Sequence, residues 1–141
     1  MIRGYLIDTC IWIDVEQGRL GPSDIAGVTG EAPVFLSPVT LAELKLGVEI
    51  CTDPAIRQQR QVTFRRMLRK PILQIDGGTS EVFGEIAAAI LQAVRQPGAG
   101  HRHRTQDLWL AAQAIQHDLH FLTRNQRDFR DIPGLRLSTI G

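Results

Sequence analysis

Short apolar runs alternate with longer helical patterns along this chain, and that alternation constrains the fold more than any other feature. Tyr5-Leu6-Ile7, Val34-Phe35-Leu36, Ile72-Leu73-Gln74-Ile75, Leu119-His120-Phe121-Leu122 and the weaker Leu135-Arg136-Leu137 are strand-length and bounded by turn or polar residues. Helical patterns lie between them. Residues 38–50 follow Ser37, a favoured N-cap, and carry Pro38 at the first helical position, where its missing N–H costs nothing. Residues 54–70 are polar and basic. From Thr79 or Ser80 to Gln96, Val82, Ile86, Ala89, Ile90 and Ala93 recur near helical spacing until Pro97-Gly98 stops the pattern. Residues 106–118 place Leu108, Ala111, Ala112 and Ile115 on one stripe that continues to Leu119. Strands that alternate with helices form a parallel sheet covered on both faces, so the expected class is α/β with four to five parallel strands. In such sheets the functional crevice lies beyond the carboxyl ends of the strands.

At 141 residues, with no internal repeat and no linker, the chain is expected to be a single domain over 1–141. Its 43% hydrophobic and 22% charged residues exclude a disordered or fibrous chain. Cys10 and Cys51 are too few for a secreted disulfide framework. No apolar run approaches the roughly 18 residues of a membrane span, and Asp8 cuts short the apolar start that a signal peptide needs. A cytoplasmic, reduced protein without membrane contact is the expectation. The net charge of +1 hides an asymmetry. Residues 1–53 hold eight acids and three bases, a net −5, whereas residues 54–141 hold thirteen bases and seven acids, a net +6. Such a split hints at a charged partner.

Four acids stand where the crevice is expected. Asp8 directly follows the first strand, where capping the next helix is its ordinary task. Glu43 completes a Thr40-x-x-Glu43 capping box, yet a helix starting at Ser37-Pro38 leaves it no capping work. Asp107 opens the Leu108-Trp109-Leu110-Ala111-Ala112 helix, a position the helix dipole favours. Asp128 follows the fourth strand in Thr123-Arg124-Asn125-Gln126-Arg127-Asp128-Phe129, among arginines. Each has a structural explanation alone. Together they would converge, and two carboxylates about 4 Å apart repel by roughly 4 kcal/mol at an effective dielectric near 20. An all-oxygen cluster suits a hard cation, Mg²⁺ or Mn²⁺. No Cys/His pattern points to zinc, and His101-x-His103 reads better as part of a solvated basic loop.

With these residues in view, the sequence resembles the PIN-domain ribonucleases and, among them, the VapC-type toxins of bacterial toxin–antitoxin pairs. The resemblance spans essentially the whole chain. Leu6-Ile7-Asp8-Thr9 is similar to the family's opening strand and first aspartate. Ser37-Pro38-Val39-Thr40-Leu41-Ala42-Glu43-Leu44 with Gly47 resembles its second motif, and Asp107-Leu108-Trp109-Leu110-Ala111-Ala112 its third. Thr123 to Phe129 with Pro133-Gly134-Leu135 resembles the closing motif. Each motif is weak alone; four in order are specific.

The resemblance implies a PIN-like α/β/α sandwich and a metal-dependent endoribonuclease that hydrolyses RNA phosphodiester bonds with a metal-activated water. It implies Asp8, Glu43, Asp107 and Asp128 as catalytic residues and metal ligands for one or two Mg²⁺ or Mn²⁺ ions. Asn125 is an alternative ligand in the closing motif, and Thr9 and Thr123 are tuning residues. It also implies a cognate antitoxin and a homodimer. Arg102, Arg104, Arg124 and Arg127 flank the third and fourth motifs and are expected to hold RNA phosphates; Arg57, Arg60, Arg65, Arg66, Arg69 and Lys70 form a second basic stretch. The main alternative is a PIN-like RNA- or protein-binding module without nuclease activity. A haloacid-dehalogenase-like phosphatase needs a second Asp two residues after the first, where Cys10 stands. A receiver module needs an acidic pair and a late lysine that are missing.

Overall fold

The computed structural model describes residues 2–93 and 104–140. The chain runs β1 (Tyr5–Ile7), α1 (Thr9–Glu16), α2 (Pro22–Thr29), β2 (Val34–Phe35), α3 (Pro38–Glu49), α4 (Pro54–Met67), α5 (Gly77–Ala93), α6 (Thr105–Gln116), β3 (His120–Thr123), a 3-10 turn (Gln126–Asp128) and β4 (Arg136–Thr139). The four strands are parallel and ordered β2-β1-β3-β4. Leu6 pairs with Phe35 on one side and Phe121 on the other, so β1 is central.

Both faces of β1 are covered, which explains why its run is apolar throughout. Leu6 packs with Ile86 and Ile90 of α5 and Leu108, Ala111 and Ala112 of α6. Tyr5 and Ile7 point the other way, against Ile11 and Trp12 of α1, Ile25 of α2, Leu41 and Leu44 of α3 and Met67. The result is the α/β/α sandwich expected from the sequence. The strand expected over residues 72–75 shrinks to one parallel bridge, Leu36 to Ile72. Gly77-Gly78 follow at once, and Asp76 instead starts α5: its carboxylate accepts from Thr79 N, while Thr79 Oγ1 accepts from Asp76 N.

Helices α1 and α2 are absent from the sequence reading. Thr9–Glu16 is only eight residues long and apolar around much of its circumference, so it carries almost no helical stripe. At the other end of the sheet, Asp118 holds Arg3 and Arg136 in the turn into β3.

Candidate active site

Asp8 leaves β1 at its carboxyl end, and its N–H still donates to Leu122 O of β3. The carboxylate therefore sits between β1 and β3, 7% exposed. Thr123 Oγ1, fully buried at the end of β3, donates to Asp8 Oδ2 at 2.8 Å. The Cys10 thiol donates to the same oxygen at 3.3 Å. Thr123 Oγ1 also accepts from Asn125 N, which turns the chain into the closing loop.

Glu43 arrives from α3. Ser37 caps that helix, its Oγ accepting from Val39 N at 3.1 Å, so the start expected from Ser37-Pro38 is the real one. Glu43 is thus free of capping. Its Oε1 accepts from Thr9 Oγ1 at 3.0 Å, and Thr9 Oγ1 lies 3.0 Å from Thr40 Oγ1. A chain of two buried hydroxyls ties α1 to α3 and ends on the carboxylate.

Asp107 lies in the first turn of α6, and Asp128 in the 3-10 turn. The charges of the four acids act on one another. Burial raises Asp8 above the ordinary carboxylate range, against the hydrogen bonds from Thr123 and Cys10, and the Asp128 charge adds to the rise. Glu43 is raised by burial, opposed by Thr9, and by the Asp8 charge. Asp107 is pushed up to about 6, first by burial and then by the charges of Asp8 and Asp128. Like charges crowded into a half-buried crevice leave a cation as the natural occupant.

The donor set fits a hard divalent ion: oxygens with excess negative charge, opposed at Asp107 by the Arg104 charge. Among the described residues, no three His, Cys, Asp or Glu side chains form a ready-made metal cage. An ion that keeps several waters, as Mg²⁺ does, needs no closed cage.

The arginines divide. Arg104 is committed to the fold: it grips both oxygens of Asp131 at 2.8 and 2.7 Å and donates to Asp128 O at 2.7 Å. It staples the closing loop to α6 rather than lying open on the rim. Arg124 pairs with Asp14, a buried acid of α1 that the sequence reading missed. Arg127 is exposed. Arg102, like His101 and His103, lies outside the described residues. Asn125 enters the network through its backbone N–H, whereas the charge of Asp128 acts on both Asp8 and Asp107. In the sequence Thr40 stands in a capping box, and Asp14 has no local signal because α1 carries almost no helical stripe.

The sequence matches the PIN domain family over residues 5–135. The chain belongs to the PIN-domain family. Among curated relatives of this PIN domain, Ribonuclease VapC4 of Mycobacterium tuberculosis is 31% identical over 140 residues, covering 99% of this chain and 98% of that protein. Ribonuclease VapC1 of Rickettsia felis is 29% identical, covering 97% and 96%. Among solved structures, VapBC2 from Rickettsia felis bound to a DNA fragment from its promoter aligns with a TM-score of 0.76 at 22% identity, covering both chains completely. DNA-bound VapBC from Salmonella typhimurium aligns with a TM-score of 0.75 at 24% identity, covering 99% and 98%. These likenesses establish the α/β/α fold of the PIN domain, and the VapC relatives place the chain in that branch.

Proposed function

We propose that this PIN domain is a Mg²⁺- or Mn²⁺-dependent endoribonuclease and the toxin of a type II toxin–antitoxin pair. The observation that carries this reading is the convergence of Asp8, Glu43, Asp107 and Asp128 at the carboxyl end of a parallel sheet, with their charges acting on one another. The VapC names of the relatives support RNA as substrate.

In this reading Asp8, Glu43 and Asp107 hold the metal, and Asp128 completes the set or orients water. A bound divalent ion supplies charge neutralisation at the phosphoryl oxygens and a lowered pKa for a nearby water. The chain's own residues do the rest. Thr123 and Cys10 fix the Asp8 oxygen that they share, and Thr9 fixes Glu43, so the carboxylates are oriented before any ligand enters. Arg124, which follows the Thr123 bonded to Asp8, and Arg127, which precedes Asp128, receive RNA phosphates in this reading.

A cognate antitoxin and a second copy are the proposed protein partners. Leu46 on α3 and Ile50 at its C-terminal cap stay 59% and 68% exposed, apolar surface suited to a protein contact. Among the described residues no helix is long and apolar enough to cross a membrane; we place the protein in the cytoplasm, where its RNA substrate is.

The deciding experiment incubates the protein with structured RNAs and added Mg²⁺ or Mn²⁺, beside folded Asp8→Ala, and maps the new RNA ends. Wild-type cleavage that chelation stops and Asp8→Ala lacks supports the proposal. RNA binding without cleavage would make the chain a binding module instead.

A further inference from the structure

Asp14 is 1% exposed, the most deeply buried carboxylate among the described residues. A carboxylate removed from water is unfavourable unless a cation meets it. Arg124 Nε lies 2.9 Å from Oδ2, an ion pair out of line for a hydrogen bond, and Arg19 Nη1 lies 3.6 Å from Oδ1. Arg124 is also fixed at its root. It follows Thr123, whose hydroxyl donates to Asp8. One end of Arg124 is therefore tied to the carboxylate crevice and the other to α1.

The ion pair runs through Nε, and the Arg124 side chain keeps 42% of its surface exposed. A guanidinium carries five N–H donors in a rigid fork, so a grip through Nε leaves the terminal donors for another acceptor. A loose surface arginine loses rotamer freedom when it binds a phosphate. One already tethered has lost it on folding.

We propose that Asp14 is a positioning residue for RNA: its buried carboxylate holds Arg124 beside the crevice as a preset clamp for a backbone phosphate. Asp14 itself touches no substrate. The inference rests on the ribonuclease reading and adds the residue that presets its phosphate contact.

Asp14→Asn keeps the shape and removes the charge. The probe is a fluorescein-labelled single-stranded RNA oligonucleotide, titrated by anisotropy across a salt series, with single-turnover cleavage measured in parallel. Asp14→Asn raises Kd about tenfold and lowers the slope of log Kd against log salt by about 0.7, one phosphate contact fewer. Cleavage at saturating RNA stays within about twofold of wild type, because the loss is in binding. Arg124→Ala shows the same losses, and the double variant is no worse than Arg124→Ala alone. Arg124→Lys also loses about tenfold, since an ammonium cannot pair and present a fork at once. Arg3→Ala, at the opposite end of β1, matches wild type.

Wild-type affinity in Asp14→Asn overturns the clamp, as do losses that multiply in the double variant. Should Asp14→Asn fail to fold, Arg124→Lys decides alone: wild-type affinity there overturns the clamp. A folded wild-type protein that neither binds nor cleaves RNA overturns the ribonuclease reading and the clamp together. A wild type that cleaves, matched by Asp14→Asn in affinity and salt slope, overturns only the clamp.

Discussion

The hydroxyls of Thr9, Thr40 and Thr123 are nearly or fully buried, and two of them spend their donors on carboxylates of the crevice. A buried hydroxyl needs a partner, and a buried carboxylate needs donors, so each satisfies the other. Thr123→Val keeps the shape and removes the donor to Asp8. It is expected to weaken Mn²⁺ binding about tenfold and slow cleavage similarly, measured by calorimetry and a cleavage assay. Asp107, pushed up to about 6, supplies the pH dependence. In the proposed metal site its ionised form is the one that holds the ion, so activity is expected to fall as pH drops through about 6. Because metal and proton compete for the same oxygens, higher Mg²⁺ moves that midpoint downward. A rate profile measured at two Mg²⁺ concentrations with a common midpoint well below 5 would count against this role. Asp8 and Asp107 are legible because one follows a strand and the other opens a helix; Glu43, inside α3, and Asp128, in the 3-10 turn, are singled out by the motifs that resemble the family's. Their hydroxyl partners were legible only as nearby residues, since a bond across 34 or 115 positions leaves no local pattern.

At the scale of elements, the strands are short and their spacing is tight. A Cβ built on Gly4, just before β1, would lie 2.8 Å from Pro33 O, 3.1 Å from Phe35 Cε2 and 3.2 Å from Leu119 Cδ2. The first of these is backbone and cannot swing aside. Gly4→Ala is therefore expected to cost about 1–3 kcal/mol by urea denaturation, through overpacking where β2 and β3 flank β1. Ser37→Ala removes the cap of α3 and is expected to cost about 1 kcal/mol. Helices α3, α4, α5 and α6 were legible from caps, prolines and stripes. Helices α1 and α2 were not: α2 begins at Gly21-Pro22 and packs through Ile25 after only eight residues. The Ile72 to Ile75 run has the composition of a strand, but it meets the sheet at one bridge because Asp76 diverts the chain into α5.

For the whole molecule, the opposed charges of the two halves prove partly internal. Arg57 pairs with Glu49, Arg60 with Glu16 and Arg124 with Asp14, each joining the basic half to the acidic one. The rest of the acidic excess includes Asp8 and Glu43, whose proton affinities are raised together with that of Asp107. A carboxylate raised in the fold binds protons more tightly folded than unfolded, so the metal-free protein loses stability as pH rises through about 4 to 6 at this site. A divalent cation relieves that crowding. At a concentration about a hundred times its Kd at pH 7.5, Mn²⁺ is expected to raise Tm by about 9 °C near pH 7.5, and the same concentration by clearly less near pH 5.5, where Asp107 is largely protonated. Thermal melts at both pH values, with Asp8→Ala as control, check this; an equal rise in both conditions would place the bound ion elsewhere.

The parallel sheet, the longer helices, the crevice end and the positions of the candidate acids follow from the sequence alone, because period, caps and residue type act over a few positions. The partners of those acids and arginines were decided only by the tertiary structure. Arg104 looks like a free cation in the sequence and proves to be a staple on Asp131 and Asp128. Arg124 looks the same and is held by an acid 110 positions earlier. Charge is written locally, but its neutralisation depends on which distant element folds against it.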